Sequence, residues 1–143
     1  MDRPIDAFIL FNDRETAVVP AVDALERRGV TTHFAPRDIE PGQNLAEIEE
    51  RELNEARTVV VFLGTQGWGP SHQLFAQQAH KSGKRTIPVL IGNPPDRDLD
   101  AADSLFRRVM YVDLRESTPS ALDRLAQAIL GERGEAQGPP PQR

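Results

Sequence analysis

The amino-acid sequence predicts an α/β fold with a five-stranded parallel sheet and helices on both faces. Apolar, β-branched segments alternate with amphipathic helical patterns along the whole chain, an alternation typical of parallel sheets. Val59–Leu63 is a continuous apolar run, which indicates a central strand buried on both faces. With 143 residues, 38% of them hydrophobic, the chain is long enough for one domain with its own core.

Hydrophobic periodicity and stop signals place each element in order. The predicted strands cover residues 5–11, 30–34, 58–63, 86–91 and 109–112. The predicted helices cover residues 16–28, 45–57, 72–82 and 117–130. A polar loop fills 93–103, with one turn of helix expected at 103–107.

Particular residues support these assignments. The first helix ends on Gly29, a common helix terminator, and its expected apolar stripe is Val18, Val19, Val22 and Leu25. Pro88 in the fourth strand predicts that its first residues lie where no ladder donor is needed. Pro119 suits the first turn of the last helix, whose expected stripe is Leu122, Leu125, Ala128, Ile129 and Leu130.

Composition excludes several classes of function. The net charge of −5 argues against a nucleic-acid partner, and the lack of cysteine excludes disulfides and thiolate metal sites. His33, His72 and His80 lack the spacing of a metal motif, so we expect structural or surface roles and no metal site. No apolar run approaches the ~20 residues that span a bilayer, and the N-terminus does not resemble a signal peptide. We therefore expect a cytoplasmic protein with no membrane partner.

The glycine-rich stretch Gly64–Ser71 directly follows the predicted central strand. Ligands of open α/β sheets bind outside the carboxyl ends of the strands, so this stretch is expected to form one wall of any small-molecule site. Its glycines fit either a tight strand–helix loop or a loop that shapes a nucleotide pocket. A phosphoreceiver domain is excluded, because the strand ends Phe62-Leu63-Gly64-Thr65, without the aspartate that accepts a phosphoryl group.

The loop after the second strand is longer than a strand–helix connection requires. It carries one apolar residue among charged ones, followed by a Pro-Gly pair. Its residues fit either a solvated turn or a protruding interaction loop. They are Arg37, Asp38, Ile39, Glu40, Pro41 and Gly42.

Several segments together resemble a Toll/interleukin-1 receptor (TIR) domain of the bacterial type. They are Asp6–Ile9, Phe34–Gly42, Val59–Leu63 with Trp68-Gly69-Pro70, and Lys84–Leu90. The resemblance covers residues 5–131 and implies a flavodoxin-like three-layer fold. We therefore expect residues 1–131 to form a TIR-like domain and residues 132–143, which are rich in proline, to form a disordered tail or linker.

The resemblance also implies a site. In this family the loop after the second strand mediates self-association and borders a nucleotide pocket, and many members cleave NAD+ at the nicotinamide–ribose bond. The pocket residues that it implies here are Phe11, Asn12, Arg37, Gly64, Trp68, Ser71 and Phe75. No cofactor is required, and NAD is expected only as a ligand or substrate.

The family's catalytic glutamate has no counterpart in this sequence. Ungapped alignment from Gly83 and Pro88 puts Phe75 at its position and Ser71 at the preceding aromatic position. The cleavage has an oxocarbenium-like transition state that a carboxylate stabilises. No aspartate or glutamate occurs between Glu55 and Asp96. The resemblance therefore implies no catalytic residue.

The sequence thus favours a TIR-like domain that acts by protein–protein association in signalling, innate immunity or antiphage defence. The expected partners are other copies of the chain and other TIR-like domains. The basic Lys81–Arg85 patch and the acidic Glu47–Glu55 helix are opposite in sign and fit a head-to-tail contact. The alternative is an NAD+ glycohydrolase with an unusual active site. A nucleoside deoxyribosyltransferase-like enzyme, also compatible with the architecture, needs a carboxylate in the same region.

Overall fold

The structure is a computed structural model that describes residues 5–12, 14–33, 51, 53–81, 83–101, 111–116 and 118–131. The strands are β1 (Ala7–Leu10), β2 (Thr32–His33), β3 (Thr58–Leu63), β4 (Thr86–Leu90) and β5 (Val112–Asp113). The helices are α1 (Val18–Arg27), α2 (Pro70–Lys81), α3 (Asp96–Ala101) and α4 (Pro119–Gly131). Residues 53–55, just before β3, are also helical.

The five strands form one parallel sheet in the order β2-β1-β3-β4-β5. Strand β3 lies at the centre, where Val60 pairs with Ile9 on one side and with Ile87 on the other. All six residues of β3 are buried, as expected for an apolar strand covered on both faces. The predicted fold class is confirmed, with β2 at one edge and β3 at the centre.

Alternate side chains of the strands enter two separate hydrophobic cores. Ile9, Val60 and Phe62 pack with α1 and α4 on one face of the sheet. Phe8, Val61 and other alternate residues pack with α2 and the segment around Leu53 on the opposite face. The domain is therefore three layers thick, and the carboxyl ends of the strands open between the two helical layers.

The bounds of some elements differ from the sequence prediction. Helix α2 begins at Pro70 rather than at residue 72, because a proline is well suited to the first helical position. Helix α3 covers Asp96–Ala101, which was predicted to be loop; Asp96 and Asp98 in its first turn interact favourably with the helix dipole. Strand β5 begins at Val112, so Tyr111, which was predicted to belong to it, lies outside the strand, and residues 109–110 are outside the described part of the chain. In each case, the hydrophobic periodicity of a short segment did not indicate where the helix or strand begins.

Helix α1 also departs from its predicted stripe. Val18, Val22 and Leu25 are buried as predicted, but Val19 is 43% exposed, so that part of the prediction was wrong. Positions 18 and 19 are about 100° apart around a helix, and only one of them faces the sheet. The helix ends before Gly29, which has a φ of 92°, a left-handed conformation that favours glycine.

Pro88 lies within β4 and pairs with Val61 of β3. Ile91 donates its N–H to Leu63, whereas Leu90 accepts a hydrogen bond from Leu114 on the β5 side. Alternation along the strand therefore directs the missing donor of Pro88 toward β5 and away from the central pairing.

Some predictions concern residues outside the described part of the chain. These are most of the acidic helix at 45–57, the loop at 37–42, the helical turn at 103–107 and the tail at 132–143. They stay predictions.

Candidate functional site

The candidate site is the crevice at the carboxyl ends of β1 and β3, where the order of the strands reverses direction. Ligands of doubly wound sheets bind at such a switch point. Asn12, which follows β1, reaches across the crevice to the loop after β3. Its Nδ2 lies 3.2 Å from the carbonyl oxygens of both Gln66 and Gly67 and donates to them. The segments after the two strands are thereby joined at their ends.

Residues 64–69, which we call the glycine loop, already use several of their own donors. The N–H of Gln66 donates to Glu15 Oε1 at 2.9 Å, and the N–H of Gly67 donates to the carbonyl of Gly64 at 2.9 Å. The N–H of Gly69 donates to His72 Nδ1 at 3.3 Å. A phosphate-binding loop requires such N–H groups to point at the ligand. The geometry therefore favours the tight-loop interpretation over a phosphate cradle.

Two glycines of this loop are required by close approaches of acidic side chains. A Cβ on Gly64 would lie 2.6 Å from the Glu15 carboxyl carbon, closer than packed atoms allow. A Cβ on Gly67 would overlap the Asp98 carboxylate, and Gly67 also has a φ of 73°. Carboxylates from two different segments thus lie against the loop.

Trp68 links the glycine loop to two helices. Its Nε1 donates to the carbonyl of Asp98 in α3 at 3.0 Å. Its ring centroid lies 4.6 Å from that of His72 in α2, with the rings tilted by 50°. Trp68 is half-buried and packs, together with Phe75, on the core at the α2 face of the sheet. These contacts fix the Trp68 side chain between the glycine loop and the two helices.

His72 lies in the first turn of α2 with only 4% of its surface exposed. Burial lowers its pKa from 6.5 to about 4, while an interaction with the Phe62 backbone partly opposes that change. Its Nδ1 accepts the Gly69 hydrogen bond, so the neutral ring carries its proton on Nε2. A neutral histidine therefore closes the glycine loop onto α2.

We expect this histidine to make the protein sensitive to acid. Because the folded pKa of about 4 lies below the unfolded value of 6.5, protons bind preferentially to the unfolded chain. Stability should fall as pH drops from 6.5 toward 4, by about 3 kcal/mol in total for this group. His72→Asn keeps an acceptor near Nδ1 but does not titrate. Urea unfolding at pH 7 and pH 4.5 should show a smaller acid loss in this variant, and equal losses would contradict the assignment.

The predicted pocket residues are only partly brought together. Asn12, Gly64 and Trp68 lie in the glycine loop or against it, and Phe75 packs on the same core as Trp68. Phe11 packs instead with the core on the α1–α4 face, on the other side of the sheet. The backbone of Ser71 lies in the first turn of α2, but its side chain is outside the described part. Arg37 and the rest of the interaction loop at 37–42 also lie outside it.

Sequence reasoning missed Glu15, His72 and Asp98 as parts of this site. Glu15 could have been noticed, since it follows β1 closely and therefore lies at the same end of the sheet as the crevice. His72 directly follows the glycine stretch, which is a weak signal. Asp98 has none, because its contact with Gly67 arises only from the packing of α3.

A second cavity lies at the carboxyl ends of β4 and β5, with a volume of about 550 Å³. The Arg115 guanidinium donates to the Asp113 carboxylate at 2.9 and 2.7 Å and to Asn93 Oδ1 at 3.0 Å, and the Arg115 backbone N–H also donates to Asp113 at 3.0 Å. The hydrogen bonds from Arg115 lower the pKa of Asp113 to about 2. Its lining residues in the described part of the chain are all polar or charged: Asn93, Asp113, Arg115, Glu116 and Thr118.

Two further searches of the described residues gave negative results. No group of three or more histidine or acidic side chains there could hold a metal ion. Nor is any helix in those ranges long and apolar enough to cross a bilayer.

Comparison with solved structures finds TIR domains. The TIR domain of the Toll-related receptor TRR-2 from Hydra magnipapillata is 23% identical, with a TM-score of 0.65 over 88% of this chain and 98% of that one. The TIR domains of the activated Roq1 resistosome, which recognises the pathogen effector XopQ, are 17% identical (TM-score 0.59; 90% and 98% covered). The heterodimer of RPS4 and RRS1 TIR domains matches at 18% identity (TM-score 0.57; 88% and 95% covered). At these identities the matches establish the fold alone.

Comparison at the sequence level gives the family. No curated protein matches the chain. A family model described as TIR domain matches residues 8–128, which is most of the sequence. The match and the order of the strands are consistent with each other. The chain therefore belongs to the TIR domain family.

Proposed function

We propose that this TIR domain acts by associating with copies of itself and with other TIR domains in cytoplasmic signalling or immune defence, antiphage defence included. In this proposal the crevice accepts a nucleotide such as NAD+ but cleaves it slowly or not at all. The observation that carries the proposal is the phenylalanine at position 75. Phe75 is half-buried and, like Trp68, packs against the core on the α2 face of the sheet.

The chemistry of NAD+ cleavage explains why this residue matters. Nicotinamide leaves as a neutral molecule, so no general acid is needed, but positive charge develops on the ribose. A nearby carboxylate stabilises that charge. Phe75 offers only an apolar ring, and the chain has no aspartate or glutamate between Glu55 and Asp96. The loss of one fixed electrostatic group typically costs about 10²–10³ in rate.

The second candidate, an NAD+ glycohydrolase with an unusual active site, is favoured by one observation. The carboxylates of Glu15 and Asp98 both lie against the glycine loop. However, Glu15 already accepts the Gln66 N–H at 2.9 Å, whereas Phe75 packs against the core on the α2 face of the sheet. Glu15 is thus already bonded to the loop, and Asp98 lies against Gly67, so we rank this candidate below association.

Association is supported by the similar structures and by charges of this chain. The RPS4–RRS1 neighbour is a heterodimer of TIR domains, and the Roq1 neighbour belongs to a resistosome. In the basic patch, Lys84 Nζ donates to the carbonyls of Asn54 and Ala56, and Arg85 donates to the carbonyl of Ala128. Two cations of that patch thus already bond to carbonyls of the same chain. We therefore assign the larger share of the self-association interface to the loop at 37–42.

Ile39→Asp is expected to weaken self-association about tenfold or more, because it places a charge in the proposed contact. The unmodified protein should associate weakly, more strongly at higher concentration and less at higher salt, which screens charge pairs. Sedimentation velocity over a series of concentrations and salt conditions measures both effects.

The matched control is Val19→Asp, the same exchange of an apolar residue for aspartate at an exposed site on α1. It should leave the association constant unchanged. The proposal fails if the unmodified protein stays monomeric at low salt and high concentration. The assignment of the interface to the loop at 37–42 is contradicted if Val19→Asp abolishes association and Ile39→Asp does not.

A further inference from the structure

Glu15 is a carboxylate with only 8% of its surface exposed, held in place between β1 and α1. Its N–H donates to the carbonyl of Asn12 at 2.8 Å, and its carbonyl accepts the N–H of Val18 at 3.1 Å. The backbone is thus fixed by a turn on one side and by the start of a helix on the other. Burying a charged group is costly unless it gains strong hydrogen bonds. The contacts of this side chain therefore require an explanation.

The carboxylate of Glu15 interlocks with the glycine loop. Oε1 accepts the Gln66 N–H at 2.9 Å, a bond strengthened by the charge. A Cβ on Gly64 would lie 2.8 Å from each carboxylate oxygen, so the carboxylate occupies the space that any side chain there would need. Glu15 and Gly64 therefore form a matched pair: the glutamate reaches the loop only because position 64 is glycine.

We propose that Glu15 is the positioning residue of the crevice: through Gln66 and Gly64 it sets the path of the glycine loop, and so the place of Trp68 and the fit of a nucleotide. Trp68 follows Gln66 by two residues, so the hydrogen bond that Glu15 accepts fixes the backbone directly before Trp68. The part of this inference that concerns a nucleotide rests on the proposed function. The part that concerns the loop rests on the contacts alone.

The position of Trp68 can be measured directly, because it is the only tryptophan in the chain. Its fluorescence reports on the glycine loop and on the adjoining contacts with His72 and Asp98. A residue that only stabilises the fold would change the unfolding midpoint without changing the emission of the folded protein. A positioning residue changes both.

The experiment compares Glu15→Ala, Glu15→Gln and Ile129→Val. Glu15→Ala should shift Trp68 emission to the red and raise its quenching by acrylamide, because the loop loses its anchor. Glu15→Gln retains an oxygen that accepts the Gln66 N–H and should keep the native emission. Ile129 is buried in the α4 layer, so its truncation should lower stability and leave Trp68 unchanged.

A double-mutant cycle tests the pairing with Gly64. Gly64→Ala should destabilise the native protein strongly but cost much less in a Glu15→Ala background, where the colliding carboxylate is gone. Equal costs in the two backgrounds would overturn the interlock. Emission of Glu15→Ala that matches Ile129→Val would overturn the positioning role.

Titration with NAD+ separates the two parts of the inference. If the unmodified protein binds NAD+, Glu15→Ala should bind about tenfold more weakly, as expected for the loss of one anchoring hydrogen bond. Unchanged binding in Glu15→Ala would overturn the proposed effect on the ligand. A lack of NAD+ binding by the unmodified protein would contradict the pocket in the proposed function, while the fluorescence result would still decide the role of Glu15 in the loop.

Discussion

Replacing Phe75 with glutamate is expected to raise nicotinamide release from NAD+ by roughly 10²–10³-fold over the unmodified protein. The exchange places a carboxylate at the position that the ungapped sequence alignment assigns to the family's glutamate, on the same face of the sheet as Trp68. A carboxylate there would stabilise the oxocarbenium-like transition state. The effect is measured as the rate of nicotinamide release at saturating NAD+, with nicotinamide quantified by chromatography.

The matched control for this prediction is Phe75→Gln. Glutamine has the size of glutamate but no charge, and it also removes the phenyl ring. If opening of the pocket alone were sufficient, both variants would gain activity equally. We therefore expect Phe75→Glu to release nicotinamide faster than Phe75→Gln by most of the roughly 10²–10³-fold gain. Equal rates in the two variants would contradict the prediction.

The second large effect concerns stability. Phe62→Ala should lower the free energy of unfolding by about 3–5 kcal/mol. Phe62 is only 1% exposed in the central strand, so removal of its ring leaves a cavity in the core. That is a large share of the 5–15 kcal/mol that is typical of a domain. Phe75→Ala removes the same ring from a half-buried site and should cost only about 1–2 kcal/mol.

Urea unfolding of the two variants in parallel tests this contrast. The comparison is matched in chemistry, since each exchange removes one phenyl group. Equal losses would mean that Phe75 belongs to the core as fully as Phe62 does. In that case its replacement by glutamate could not be interpreted as a change of the crevice alone.

The sequence predicted the sheet well because its signals are local. The apolar run of β3 reports burial on both faces directly, and the central place of this strand followed from it. Boundaries were harder to place, because they depend on partners that are distant in sequence. Helix α3 illustrates this: Trp68 donates to the carbonyl of Asp98, 30 residues away, and nothing in the polar segment 93–103 indicates that contact.

The residues of the candidate site also fall into two groups, those that a local signal predicts and those that depend on a distant partner. Gly64 and Trp68 were predicted from the rule that ligands bind beyond the carboxyl ends of strands, and they do lie there. Glu15 was missed because its partner Gln66 is 51 positions away, and a single glutamate after a strand resembles any surface residue. The reason for glycine at position 64 became visible only with Glu15 in place. Long-range pairs of this kind leave no periodic trace in one sequence.

In the proposed function the domain associates and is not an efficient catalyst, and both properties can be measured in one sample. The unmodified protein is concentrated at low salt, its assembly is verified by sedimentation, and nicotinamide release from NAD+ is followed in the same sample. We expect assembled protein with turnover far below the ~10 s⁻¹ of a median enzyme. Turnover near that value, lost again when the assembly is dissociated, would show an active site completed between subunits and would contradict the account.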